Sequence, residues 1–236
     1  MRAIILAAGQ GTRLLPFTRQ HPKCLVPVGG KAILDHQLEA LAANGITDVL
    51  VIGGYRIDRL EQHLSHKPAN QRPGLLLNPF WPVANSISSV WTARHQLHEP
   101  FCLLNGDTLF SADLIAAALD HAGDGINLLV ERTEDFMLDD MLVAVEGERV
   151  RAVGKTLAEG VAAHRSMGFI IAKGIGPILY VEALDEVIGA EGGHGRFHHA
   201  IIDRLAWDSA VRAIEGDGSS ALEIDRPEDI ERWQAK

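Results

Sequence analysis

Several short apolar runs in this chain stop abruptly at glycine, and that pattern narrows the fold more than any other feature. Ile4-Ile5-Leu6-Ala7-Ala8 stops at Gly9-Gln10-Gly11, Val49-Leu50-Val51-Ile52 at Gly53-Gly54, and Phe101-Cys102-Leu103-Leu104-Asn105 at Gly106-Asp107. Runs of that length without polar alternation read as strands buried on both faces, the mark of a parallel sheet covered by helices. The stretches between them supply the helices. From Lys31 to Asn44, residues Ile33, Leu34, Leu38, Leu41 and Ala42 recur at helical spacing until Asn44-Gly45 ends the run. Ile57 to Leu64, Ser111 to His121 and Pro177 to Ile188 read the same way. The expected class is α/β, a doubly wound and mostly parallel sheet. In such sheets ligands sit above the carboxyl ends of the strands.

The first of these ends carries the most chemistry. Ala7, Ala8, Gly9 and Gly11 leave almost no side chain between the main chain and whatever lies above it, so a flat ring or a phosphate can approach the N–H groups. Arg13 and Lys23 supply the positive charge that phosphate oxygens need. An ordinary βα turn also contains Gly-x-Gly, so that element alone decides nothing. Leu14 stands where a dinucleotide-binding G-x-G-x-x-G has its third glycine, and no Gly-Lys-Ser/Thr follows, which sets aside both better-known phosphate loops.

Composition narrows the classes further. The 236 residues suit one large α/β domain, and 47% hydrophobic content is ample for its core. A formal net charge of −9 and a pI near 5.6 argue against a nucleic-acid partner. Cys24 and Cys102 sit alone in apolar surroundings and read as buried thiols of a cytoplasmic protein. No apolar run is long enough to span a membrane. Met1-Arg2 leads straight into the first strand, so no signal peptide is expected.

Taken whole, Leu6 to Leu14 followed by Pro22-Lys23-Cys24-Leu25-Val26-Pro27-Val28 resembles the signature of the nucleotidyltransferases that activate sugar phosphates and phospho-alcohols. That signature is L-A-A-G-x-G-T-R-L and then P-K-x-L-x-P-V, and every fixed position is matched. The resemblance implies a single Rossmann-like domain of the GT-A type over 1–236, with a small antiparallel acceptor-binding portion at about 125–172. It assigns catalysis to Arg13 and Lys23. Nucleotide binding falls to Leu6, Ala7, Ala8, Gly9, Gly11, Thr12, Asn85, Ser86 and Gly106.

Asn85-Ser86-Ile87-Ser88-Ser89-Val90-Trp91 reads as a helix start, with Asn85 or Ser86 as N-cap and Ile87, Val90 and Trp91 facing inward. Capping and ligand contact are equal readings of Asn85. The segment resembles the N-x-x-S stretch of the bacterial phosphocholine cytidylyltransferase branch, which points to CTP as nucleotide and to a small phospho-alcohol or phosphonate as acceptor.

Two carboxylate motifs complete the site. The buried strand ending Gly106-Asp107 holds a carboxylate over the crevice, where capping of the next helix is the bland alternative and Ser111 is better placed for it. Glu223 and Asp225 alternate with apolar residues, so a strand there points both to one face. Pro227 then opens a helix with Glu228 and Asp229 in its favourable first turn. The resemblance makes Asp107 and Asp225, with Glu223, the ligands of Mg²⁺, a hard cation that takes oxygen ligands. Arg226 stands where the family usually has Thr.

For the acceptor, the resemblance singles out Gly168 and Lys155, the latter equally readable as an exposed strand-end lysine, and Asp140 joins them as a carboxylate of the acceptor-binding portion. Glu131, Asp139 and Asp140 could face an ammonium headgroup, and Trp81 and Trp207 are either core or a cation–π wall. His198-His199 reads as a solvated or acceptor-facing helix start, with no third ligand for a transition metal. The expectation is cytidylyl transfer from CTP to an acceptor of the phosphocholine or 2-aminoethylphosphonate type, with release of pyrophosphate. The alternatives are UTP or dTTP with a sugar 1-phosphate, and a silent nucleotide-binding regulator. Arg13, Lys23, Asp107 and Asp225, all present, argue against the regulator. A homodimer is compatible with each.

Overall fold

The computed structural model describes residues 1–158 and 160–234. Strand β1 (Arg2–Ala7) leads into the glycine loop, and a small hairpin, β2 (Pro27–Val28) and β3 (Lys31–Ala32), precedes helix α1 (Ile33–Ala43). Then come β4 (Val49–Gly53), α2 (Ile57–Ser65), β5 (Gly74–Leu77), α3 (Ile87–Thr92), β6 (Phe101–Asn105), β7 (Thr108–Phe110) and α4 (Ala112–His121). The second half runs β8 (Gly125–Arg132), β9 (Leu142–Glu146), β10 (Arg149–Gly154), β11 (His164–Lys173), α5 (Gly176–Gly189), α6 (His199–Trp207), β12 (Val211–Glu215), β13 (Ala221–Glu223) and α7 (Pro227–Gln234).

Nine strands form one sheet in the order β5-β4-β1-β6-β11-β8-β12-β10-β9. Pairing is parallel from β5 through β4 and β1 to β6, and again between β8 and β12. The other junctions are antiparallel, including β11 against both β6 and β8. The strands of residues 125–172, antiparallel to one another where they pair, extend the main sheet, because β11 pairs with β6 on one side and β8 on the other.

Along β1, alternate side chains enter opposite cores, as strand geometry requires. Ala3, Ile5 and Ala7 pack with Leu34, Leu41, Leu60 and Ile115 from α1, α2 and α4. Ile4 packs with Val90, Tyr180, Leu184 and Ile201 from α3, α5 and α6. Both Cys24 and Cys102 are buried and free, and burial pushes each thiol up to about 12. A separate ribbon of β7 and β13, with Leu109 opposite Leu222, lies over a third, smaller core of Leu14, Val26, Val28, Ile33, Ile224 and Ile230. That ribbon brings the end of the chain back to the first loop.

Candidate active site

The carboxyl ends of β1 and β6 are stitched together at their glycines. The Gly106 N–H donates to the Leu6 carbonyl at 3.0 Å, and a Cβ on Gly106 would lie 2.5 Å from that same oxygen. Only glycine allows this approach. Gly11 has φ +69°, and a Cβ there would meet the Lys23 side chain at 2.9 Å. The missing side chain therefore lets Lys23 pass beneath the loop, and Thr18 Oγ1 fixes the turn by donating to the Gly11 carbonyl at 2.8 Å. Gly9 is different: nothing lies within 4 Å of the position a Cβ would take, so it opens directly on the cleft.

Asp107 follows Gly106, and the ribbon delivers its partner. The Ile224 N–H donates to the Asp107 carbonyl at 2.9 Å, which sets Asp225 alongside. Strand β13 stops at Glu223, so the alternation expected through Asp225 ends two residues early. Asp225 is held instead by Asp229 of α7, whose Oδ2 accepts from the Asp225 N–H at 3.0 Å and the Arg226 N–H at 2.7 Å. Ser111 caps α4 by accepting from the Leu114 N–H, leaving Asp107 free of that duty.

Lys23 Nζ lies 2.8 Å from Asp107 Oδ2 and 2.8 Å from Asp225 Oδ1. Arg13 Nη2 lies 2.9 Å from the other oxygen of Asp225, and Arg13 also pairs with Asp139. Burial alone would lower the Lys23 ammonium, but the two carboxylates outweigh it and hold the group above its ordinary range. Glu223 opens on the same cleft. Its carboxyl is pushed up to about 7, first by the protein around it and then by the charge of Asp107.

Asp107 Oδ1 is buried with no hydrogen-bond partner among the described residues. The oxygen set of Asp107, Asp225 and Glu223 suits a hard divalent cation. No three His, Cys, Asp or Glu side chains among the described residues converge closely enough to enclose a metal by themselves. Mg²⁺ does not need that, since it keeps waters and substrate phosphates beside one or two carboxylates. The residues present therefore fit the cation.

These groups border a cleft of about 1000 Å³. Leu6, Ala7, Gly9, Asn85, Ser86 and Gly106 line it, together with Asp140 and Lys155. Ala8, Gly11, Thr12 and Gly168 are not among its lining residues. Gly168 has φ +73°, and a Cβ there would sit 2.5 Å from Asn105 Nδ2, so this glycine supports a cleft residue from below.

The Ser86 hydroxyl does not cap α3, and Asn85 Oδ1 accepts from the Ser86 N–H at 2.8 Å, one residue before the helix. Ser86 Oγ instead reaches across to α6, accepting from the His198 N–H at 2.9 Å with His198 Nδ1 3.1 Å away. Ser88 and Ser89 are buried because both hydroxyls accept from Asn78 Nδ2, at 2.9 and 3.0 Å. Their burial turns Trp91 outward, where it is 41% exposed beneath Arg94, contrary to the inward position its spacing indicates. Trp207 is 77% exposed, neither core nor cleft wall, and Trp81 packs edge-on against Tyr55 at 5.3 Å.

Of the two readings of His198 and His199 the solvated one falls: they are buried and line the cleft. Their rings lie 4.1 Å apart, and Ser166 Oγ is 2.9 Å from His199 Nε2. Burial keeps both imidazoles neutral and pushes His198 down to about 4. The signal for this was present, since His198, Ile201, Ile202 and Leu205 share one helical face. Asn105 and Arg165, also on the wall, had no comparable signal.

A model of the nucleotidyl transferase family matches residues 2–133, more than half of the chain. The chain belongs to the nucleotidyl transferase family. It is 27% identical to N-acetylmuramate alpha-1-phosphate uridylyltransferase of Caulobacter vibrioides over 219 residues, which is 92% of this chain and 88% of that protein. It is 49% identical to CTP:phosphoglutamine cytidylyltransferase of Campylobacter jejuni over 94 residues, 40% of this chain and only 36% of that longer protein. A solved structure of CTP:phosphocholine cytidylyltransferase from Streptococcus pneumoniae superimposes with a TM-score of 0.81 at 22% identity. The match covers 99% of this chain and 97% of that one. At that identity the likeness speaks for the fold, a Rossmann-like nucleotidyltransferase domain. Among the described residues, no helix is long and apolar enough to cross a membrane.

Proposed function

We propose that this nucleotidyltransferase moves a cytidylyl group from CTP to the phosphate or phosphonate oxygen of a small alcohol derivative. The observation that carries the reading is the interlock of Lys23 and Arg13 with Asp107 and Asp225 at the mouth of a cleft floored by Ala7, Gly9 and Gly106. The acceptor oxygen attacks the α-phosphorus in line, and the bond to the bridging oxygen of pyrophosphate breaks. The acceptor is already an anion, so no side chain has to remove a proton. Positioning and charge neutralisation then supply the rate.

In this reading Arg13 turns from Asp225 to the β- and γ-phosphates, and Lys23 to the α-phosphate, where charge develops. Asp107 and Asp225, with Glu223 beside them, would hold Mg²⁺, whose contribution is to neutralise phosphate charge. Asn85 and Ser86 border the nucleotide on one side, and Lys155 borders the acceptor phosphate on the other. A cytoplasmic setting suits CTP and two reduced thiols.

Pyrophosphate release with CTP, Mg²⁺ and a panel of phospho-alcohols tests this reading. Lys23→Ala should lower kcat by about a hundredfold or more, the usual cost of removing an electrostatic stabiliser. Near-normal turnover in the folded variant would remove Lys23 from the mechanism. The second reading is UTP with a sugar 1-phosphate, favoured by the uridylyltransferase relative that spans 92% of the chain. Stronger thermal stabilisation by UTP or dTTP than by CTP would select it.

A further inference from the structure

The far end of the cleft, beyond Lys155, is where an acceptor headgroup has to lie if the preceding reading holds, and its charges are already partnered in a one-sided way. Arg165 Nε lies 2.7 Å from Glu131 Oε2, and Arg165 Nη1 lies 3.5 Å from Asp140 Oδ1. The second oxygen of Asp140 accepts from the Met137 N–H at 2.7 Å. Asp139 pairs with Arg13, and its carbonyl accepts from Lys155 Nζ at 2.6 Å. Glu131 and Asp140 are thus engaged by Arg165 and the main chain, and when Arg13 turns to the phosphates Asp139 keeps Lys155, whose Nζ lies 3.9 Å from its Oδ1. Asp135, the remaining acid of this end, lies on the exposed rim, where solvent screens it.

The aromatic side is equally committed. Phe197 is the one Phe, Tyr or Trp among the described residues lining the cleft, and the Lys155 ammonium already lies 5.0 Å from its ring centroid. A quaternary ammonium would find neither an open ring nor a free carboxylate, which are the two groups that recognise it. Uncommitted donors are present instead. Lys155 and Arg165 are 35% and 33% exposed, and each keeps N–H groups beyond the bonds just given. The neighbouring imidazoles of His198 and His199 add no charge that would favour a cation.

We infer that this end of the cleft recognises its acceptor through headgroup oxygens, hydroxyl, carbonyl or carboxylate, and discriminates against a free or quaternary ammonium. The inference rests on the transferase reading above and turns away from the amine headgroups that the sequence suggests. It names Arg165 as the residue that sets specificity: its guanidinium both occupies Glu131 and Asp140 and offers donors of its own.

The test is a set of initial rates with CTP and Mg²⁺ on four acceptors of similar size, 2-hydroxyethyl phosphate, phosphoglycolate, 2-aminoethyl phosphate and phosphocholine, with UTP and glucose 1-phosphate as a fifth pair. At least one oxygen headgroup should show a kcat/KM tenfold or more above both amines. Equal or better use of either amine overturns the inference while leaving cytidylyl transfer intact. Arg165→Gln frees Glu131 and Asp140, so it should shift the ratio of 2-aminoethyl to 2-hydroxyethyl phosphate at least tenfold toward the amine, with the KM for CTP unchanged. A ratio that stays put, or a KM for CTP that moves equally, removes Arg165 from the specificity role. If only UTP with a sugar 1-phosphate turns over, the cytidylyl reading falls and oxygen recognition stands. If no pair turns over, both fall.

Discussion

A single added methyl group probes the acceptor wall at the scale of one residue. Gly168 sits in the left-handed region with its Cα facing the Asn105 amide. Alanine there must adopt an unfavourable backbone and push Asn105 into the cleft. Gly168→Ala should cost about 1–3 kcal/mol, a fall in Tm of roughly 3–10 °C for a chain of this size. The acceptor KM should rise more than the KM for CTP. A thermal melt with paired kinetics measures both, and an unchanged Tm would mean that Asn105 has room to move. Gly9 is the contrasting residue. Its missing Cβ faces open cleft, so an alanine there should leave stability near wild type and act only when nucleotide binds.

Among the elements, the ribbon of β7 and β13 is what makes the site from remote parts of the chain. Ile224 is fully buried in the third core, and its N–H is bonded to Asp107. Ile224→Ala should cost about 2–4 kcal/mol. It should also lower kcat under conditions where the variant is folded, because the register of Asp225 against Asp107 loosens. Urea unfolding and kinetics at one temperature separate the two effects, and wild-type kcat in the folded variant would show that the register is set elsewhere. The same ribbon marks the limit of what the sequence reveals. Asp107 is legible because it stands just past the end of a buried strand, and Ser111 as a cap because it stands one residue before α4. Asp225 is legible by its motif, but the strand that was expected to aim it ends at Glu223; Asp229 holds its main chain locally, and the bond from Ile224 that sets it beside Asp107 is tertiary. Trp91 was misread, and the two histidines were left between solvent and cleft, for a related reason. Helical spacing says which residues share a face, while burial of Ser88, Ser89, His198 and His199 depends on partners from distant elements.

For the whole molecule, those buried histidines set a pH dependence. In the unfolded chain a histidine takes up its proton near pH 6.5, whereas folded His198 does so only near 4 and folded His199 also well below its ordinary value. Between those values the unfolded form binds more protons, so stability falls as pH falls. His198 alone contributes a loss of about 3 kcal/mol by pH 4. Glu223 acts with the opposite sign, since its folded carboxyl keeps a proton up to about 7, but it is one group against two. Urea denaturation at pH 7 and pH 5 should therefore give a clearly lower midpoint at pH 5, and equal midpoints would mean that the imidazoles reach water. The interlock of Arg13 and Lys23 with Asp107 and Asp225, which joins the two ends of the chain, has a consequence for ionic strength. A nucleotide entering this site exchanges one set of ion pairs for another, and added salt weakens both sets. Raising NaCl from roughly 50 to 500 mM should thus reduce nucleotide affinity far less than two idle cations would require. A calorimetric titration series reads that slope directly, and a steep one would mean that the cations stand open before the nucleotide arrives.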